Sequence, residues 1–265
     1  MGRVMEMITG RASAPGTTQT ALTMHTGDSA TIRAANLSSP IYLLQTWVDV
    51  QGAGTFRIRS PYRHDNVQGI RFNTVVSEVE PLLPMGFKER LQPQEALILE
   101  ITGSATSGDL ENAALLLYYE DLPGIQQNMA SVEAVMSRME HLVTVENTLA
   151  LGTGGGYTGE EALNAETDLL KPNTNYALIG YHVDDECLAV GWRGSETGNL
   201  RVGGPGNDTD KEMTKNWFIH LSRVFGLPLI PVFNYANASN ILLDGVQDEN
   251  GTDVTVTSIF AELRG

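Results

Sequence analysis

Hydrophobic and polar residues alternate along most of this 265-residue chain. Period-two segments fall at 31–34, 41–50, 55–59, 68–74, 95–102 and 113–119, and that period puts successive side chains on opposite faces of a β-strand. Turn-forming residues separate the segments, among them Gly52-Ala53-Gly54, Ser60-Pro61, Gln92-Pro93-Gln94 and Ser107-Gly108-Asp109. A second set of strands is expected at 176–183, 187–192, 217–223, 228–234, 240–245 and 254–263. Between the two sets the period changes. Ile125, Met129, Val132, Val135, Met136, Met139, Leu142 and Val143 recur every three or four residues, with Ser131, Glu133, Ser137, Arg138 and Glu140 opposite. This spacing predicts a helix of about five turns with one apolar stripe. Gly152-Thr153-Gly154-Gly155-Gly156 after it reads as a hinge, and Gly203-Gly204-Pro205-Gly206-Asn207-Asp208 as a long mobile loop. The small polar residues around 12–20 have no period, so the first 28 residues read as an N-terminal arm.

The second half repeats the first weakly. Leu37-Ser38-Ser39-Pro40 leads into Ile41-Tyr42-Leu43-Leu44 and on to Trp47-Val48-Asp49; Leu170-Lys171-Pro172 leads to Tyr176-Ala177-Leu178-Ile179 and on to His182-Val183-Asp184. Each half ends on an apolar strand followed by an acidic residue and leucine, Asp121-Leu122 and Glu262-Leu263. A repeat this long exceeds any solenoid unit and is large enough to carry its own core. The expected fold is therefore mainly β, with two tandem jelly-roll-like β-sandwiches joined by a linker helix. The expected division is an arm at 1–28, a first sandwich at 29–123, a linker helix and Gly-rich hinge at 124–156, and a second sandwich at 157–265.

Charge narrows the function. The net charge is −15, from 32 acidic residues against 17 Lys and Arg. Such a surface repels phosphate backbones, which argues against direct nucleic-acid binding. A single cysteine, Cys187, excludes an internal disulfide framework. No apolar run approaches the ~20 residues of a membrane-crossing helix, and the N-terminus has no secretory pattern.

Candidate chemistry is sparse. The glycine-rich stretches lack the ending of a phosphate-binding loop, and Gly194-Ser195-Glu196-Thr197-Gly198 has the wrong spacing for a nucleophilic serine. His182, Asp184 and a distant His220 match the His-x-Asp…His iron triad in outline. The first half, however, has Trp47-Val48-Asp49 at the matching place, and tryptophan cannot ligate iron. Asp244, Asp248, Glu249, Asn250 and Asp253 read as a solvated acidic loop or a calcium loop. Arg57, Arg59, Arg63, His64 and Arg71 form the one basic cluster, either a wet strand face or a contact for an acidic patch on another copy. Neither catalytic residues nor a cofactor are expected, so the chain is not expected to be an enzyme. Asn36, Asn207, Asn237 and Asn250 begin Asn-x-Ser/Thr triplets, which carry little weight without a secretion signal.

The Pro40/Pro172 and Asp121-Leu122/Glu262-Leu263 correspondences, the arm and the linking helix together resemble the double jelly-roll major capsid proteins of tailless icosahedral viruses, over residues 30–265. The resemblance implies a virion location and pseudo-hexagonal trimers that tile a shell. It also implies contacts of arm and helix with neighbouring copies, other virion proteins or an internal membrane. Arg57, Arg59, Arg63, Arg71, Met129, Met136 and Met139 are the expected subunit-interface residues. Two alternatives stand beside it: a tandem carbohydrate-binding or adhesin module, which needs an exposed aromatic platform, and an iron-dependent oxygenase.

Overall fold

A computed structural model describes residues 2–27, 30–35, 38–62, 68–76, 79–126, 128–151, 156–163, 170–206, 211–236, 240–246 and 253–265. The first half holds β1 (Gly2–Ser13), β2 (Thr20–Ala21), β3 (Thr23–Met24), β4 (Ile41–Asp49), β5 (Gly54–Arg59), β6 (Ile70–Thr74), β7 (Glu80–Pro81), β8 (Glu89–Leu91), β9 (Ile98–Thr102) and β10 (Leu110–Leu122). The second holds β11 (Met129–Ala130), α1 (Val132–Arg138), β12 (Met139–Leu149), β13 (Tyr157–Ala162), β14 (Thr174–Val183), β15 (Cys187–Gly194) and β16 (Val202–Gly206). It continues through α2 (Lys211–Lys215), α3 (Trp217–Phe225), β17 (Ile230–Tyr235), β18 (Ile241–Val246) and β19 (Val254–Leu263).

The two halves share one topology. In the first, one sheet runs β1-β10-β4 with β7 and β8 side by side along the far edge of β4, and the other runs β2-β9-β5-β6. In the second, the sheets run β12-β19-β14-β17 and β13-β18-β15-β16. Counted in chain order, both halves read 1-8-3-6 over 2-7-4-5, with β3 and β11 as additions at sheet edges. This is the two-sheet jelly roll, built twice. The third strand of each half also slips its register against the last strand, between Leu43 and Gln45 in β4 and between Leu178 and Gly180 in β14. A bulge repeated at the same topological place marks the two as copies of one plan.

The rolls stack as layers. The β1-β10-β4 sheet of the first faces the β15-β16 strands of the second, and both are covered on two sides. Their strands are therefore buried almost without interruption along β4, β10, β15 and β16. The outer sheets alternate: β5 and β6 on one side of the molecule, β12 on the other.

Four expectations are corrected. The arm is not an arm, because residues 2–13 form β1, paired over its length with β10 and largely buried. The linking helix spans only Val132–Arg138; its N-cap Ser131 accepts a hydrogen bond from the Ala134 N–H, and the chain turns extended at Met139 (φ −64, ψ 129). Residues 139–149 then form β12, because Val143-Thr144-Val145 is β-branched and suits a pleated surface. The boundary at 28/29 thus cuts β1, β2 and β3 off the first roll, and the boundary at 156/157 cuts β12 off the second. Residues 217–223, expected as a strand, lie in α3, closed by Gly226 in the left-handed region (φ 62). Gly203 to Gly206 lie in the buried strand β16, not in a mobile loop. A Cβ at Gly204 would fall 2.5 Å from the Trp217 Nε1, and one at Gly203 would strike the Val190 carbonyl. These glycines serve close packing. Residues 152–155 of the expected hinge lie outside the described residues.

Candidate functional site

The junction between the rolls is the most elaborately built region. Trp47 on β4 donates its indole N–H to the Leu188 carbonyl of β15 (2.8 Å) and meets Trp217 of α3 edge-on, 6.4 Å between ring centres. Trp217 in turn donates to the Gly203 carbonyl (3.1 Å). Phe218 beside it packs against Tyr181 and Trp192, so α3 seals one end of the second roll while touching the first. Backbone N–H groups cross as well: that of Met7 donates to the Arg201 carbonyl (2.8 Å), and that of Val79 to the Glu186 side-chain Oε1 (2.7 Å). Lys88 reaches the Phe225 carbonyl at 3.1 Å, one of the four at the helix C-terminus that have no partner within the helix.

A polar knot sits at the same junction. Asp244, 2% exposed, takes Arg193 Nε on one oxygen (3.0 Å) and Arg201 Nε on the other (2.9 Å). Arg193 also pairs with Glu160. The Arg201 guanidinium lies over the Tyr157 ring, 3.7 Å from its centre. His25 of the first roll meets that ring edge-on and shares a 2.9 Å hydrogen bond with the Thr9 hydroxyl. Burial, reinforced by the charge of Arg11, pulls the His25 pKa down to about 4, so the imidazole is neutral at pH 7. Burying a charged pair is favourable only with every partner in place, and here the carboxylate is held from two sides.

The residues singled out in the sequence fall as follows. Asp244 is in strand β18 with its two oxygens engaged by two arginines, not in a solvated loop; Asp248, Glu249 and Asn250 lie outside the described residues. His182 is on β14, Asp184 is in the turn after it, and His220 is exposed on α3. The Asp184 carboxylate accepts the Thr255 N–H at 2.6 Å. No group of three metal-ligating side chains comes together among the described residues, so the His-x-Asp…His triad is not assembled. Trp47, Trp192 and Trp217 are all fully buried, and none of them forms the aromatic platform that a sugar-binding module needs. Cys187 is buried.

Of the expected interface residues, Arg57 and Arg59 both serve Glu100 on the neighbouring strand: Arg57 Nε at 2.5 Å, Arg59 Nε and Nη2 at 2.7 and 2.8 Å. The Arg59 hydrogen bond above all, with Arg57 beside it, holds the Glu100 carboxyl below its ordinary pKa against the opposing effect of burial. Arg71 stands across from Arg57 in the strand register and is exposed; Arg63 and His64 lie outside the described residues. Met129, on the edge strand β11, is buried, Met139 is half-buried, and Met136 on α1 and Leu142 on β12 are 56% and 57% exposed. The α3 contact at the junction was missed from sequence. Its signal was present: Trp217, Phe218, Leu221 and Phe225 have helical spacing, and Gly226 follows.

No protein-family model and no curated protein matches the chain. Among solved structures, the chain is similar to the PBSX exported protein XepA at 10% identity, covering 94% of this chain and 88% of that one, with a TM-score of 0.22. It is similar to Penaeus vannamei nodavirus in a T=1 particle at 9% identity, covering 99% of each chain, with a TM-score of 0.24. The major capsid protein P2 of bacteriophage PM2 is similar at 9% identity, covering 99% of this chain and 98% of that one, with a TM-score of 0.22. Two of the three come from viruses. With TM-scores this low they add no weight to the fold, which stands on its strand order.

Proposed function

We propose that the chain is a virion structural protein, a major capsid protein whose copies join into trimers that tile an icosahedral shell. The observation that carries this reading is the duplication itself. Two jelly rolls of one topology, fixed to each other by a buried junction, give each molecule two like-shaped lobes. Three such molecules around an axis present six lobes, a pseudo-hexagonal outline that fills a lattice. The strongly acidic chain leaves contact with a genome to another virion component. Its partners are then copies of itself and other virion proteins, and its place is the virion, after synthesis in the host cytoplasm. The part assigned to an arm, contact with an internal membrane, has lost its basis, because residues 2–13 are a core strand.

Analytical ultracentrifugation across a hundredfold concentration range tests the proposal. A species of three times 28.7 kDa, or larger, is expected. A chain that remains a monomer throughout overturns it.

A further inference from the structure

A cleft of about 640 Å³ opens where Arg3 of β1 approaches α1, β11 and β17. Asn128 forms part of its wall, is 5% exposed, and has no hydrogen-bond partner for either side-chain amide atom. A buried carboxamide left so is destabilising. A ligand bringing one donor and one acceptor would complete it.

The backbone beside Asn128 has the same character. β11 is the edge of its sheet. The Val232 N–H donates to the Asn128 carbonyl (2.6 Å), and Met129 stands opposite Pro231, which has no N–H to give. Ladder bonds of an antiparallel pair alternate, so the N–H and C=O of Met129 face the open edge. Asn234 and Asn175 also line the cleft, joined by one amide-to-amide bond of 3.0 Å. That bond leaves an amide N–H₂ on Asn175 and an amide oxygen on Asn234.

We propose that this cleft takes an extended segment of a second copy of the chain, laid along β11 as an added strand. The proposal rests on the self-assembly reading above and names one of its contacts. An extended backbone offers alternating N–H and C=O groups, matching the donors and acceptors of Asn128, Met129, Asn175 and Asn234. No aromatic ring lines the cleft, which disfavours a saccharide. Arg3, already paired with Glu120, and Arg138 line it against one carboxylate, Glu196, and a chain with 32 acidic against 17 basic residues can meet the remaining positive charge of Arg138.

Light scattering on wild type, Asn128→Leu and Met129→Pro tests this. Leucine at 128 removes the unsatisfied amide at similar volume. Proline at an outward-facing edge position removes the open N–H together with the buried Met129 side chain, so Met129→Leu, which keeps the N–H at similar volume, is the control and is expected to associate like wild type. Asn128→Leu and Met129→Pro are both expected to fold, with the Asn128→Leu melting temperature at or above wild type, and to associate at least tenfold more weakly. Association of these two as tight as that of wild type overturns this proposal and leaves the capsid reading standing. A wild-type monomer overturns both. A thermal shift with galactose or N-acetylglucosamine, present in wild type and lost in Asn128→Leu, would assign the cleft to a sugar instead.

Discussion

β1 and β12 hold the same place in the two rolls, each the first strand and each paired with the last. β1 is buried along nearly its whole length; β12 is exposed at every second residue or more. The difference lies in what covers them. β1 belongs to a sheet enclosed between its own roll and the second one, whereas β12 belongs to an outer sheet. A strand buried on both faces loses the alternation by which strands are recognised. β1 has Glu6 in its middle, buried yet satisfied by Arg33 at 2.6 Å and the Tyr119 hydroxyl at 2.9 Å. Duplication supplied two copies of one scaffold, and stacking then assigned them different surfaces.

The sharpest way to break this comparison is to remove β1. Deleting residues 2–13 strips the whole flank of β10 and is expected to abolish cooperative unfolding in circular dichroism. A truncated chain that melts like wild type would restore the arm. Next come matched truncations on the inner and outer sheets. Leu116→Ala, fully buried on β10, is expected to cost about 3–4 kcal/mol. Leu142→Ala on β12, 57% exposed, should cost less than about 0.5 kcal/mol; urea denaturation measures both, and equal costs would refute the layered burial.

The junction gives smaller effects. Trp47→Phe leaves the Leu188 carbonyl without its donor and is expected to cost about 2 kcal/mol, read in the same urea experiment; no change would mean the rolls do not depend on that contact. His25 is predicted to make the junction acid-sensitive. Its pKa is about 4 when folded and about 6.5 when unfolded, so the unfolded chain takes up the proton first. Stability is then full above about pH 6.5 and falls by on the order of 3 kcal/mol as pH drops toward 4. His25→Gln should flatten that part of the pH profile, and an unchanged slope would place the acid sensitivity elsewhere.

Much of this architecture was legible in the sequence. The paired Pro40 and Pro172 motifs lie just before β4 and β14, and the two closing apolar runs are β10 and β19. The errors fall at matching places, because both rolls hide their first strand. β1 reads as irregular, with Glu6, Gly10 and Arg11 within it. β12 follows α1 without a break, and Met139, Leu142 and Val143 continue the helical spacing by chance. The strand expected at 217–223 is a helix, because Trp217, Phe218, Leu221 and Phe225 have helical spacing and Gly226 closes it. The contacts that join the rolls were not legible, since Trp47 and Leu188 are far apart in the chain and nothing local marks them as partners. The Asn128 cleft was equally hidden: an unsatisfied buried amide exists only once the fold has closed around it.

Cryo-electron microscopy of the purified protein at high concentration tests the central claim most directly. Threefold particles with six lobes of similar size, each accommodating one jelly roll, are the predicted result. Single two-lobed particles with no threefold association would contradict it.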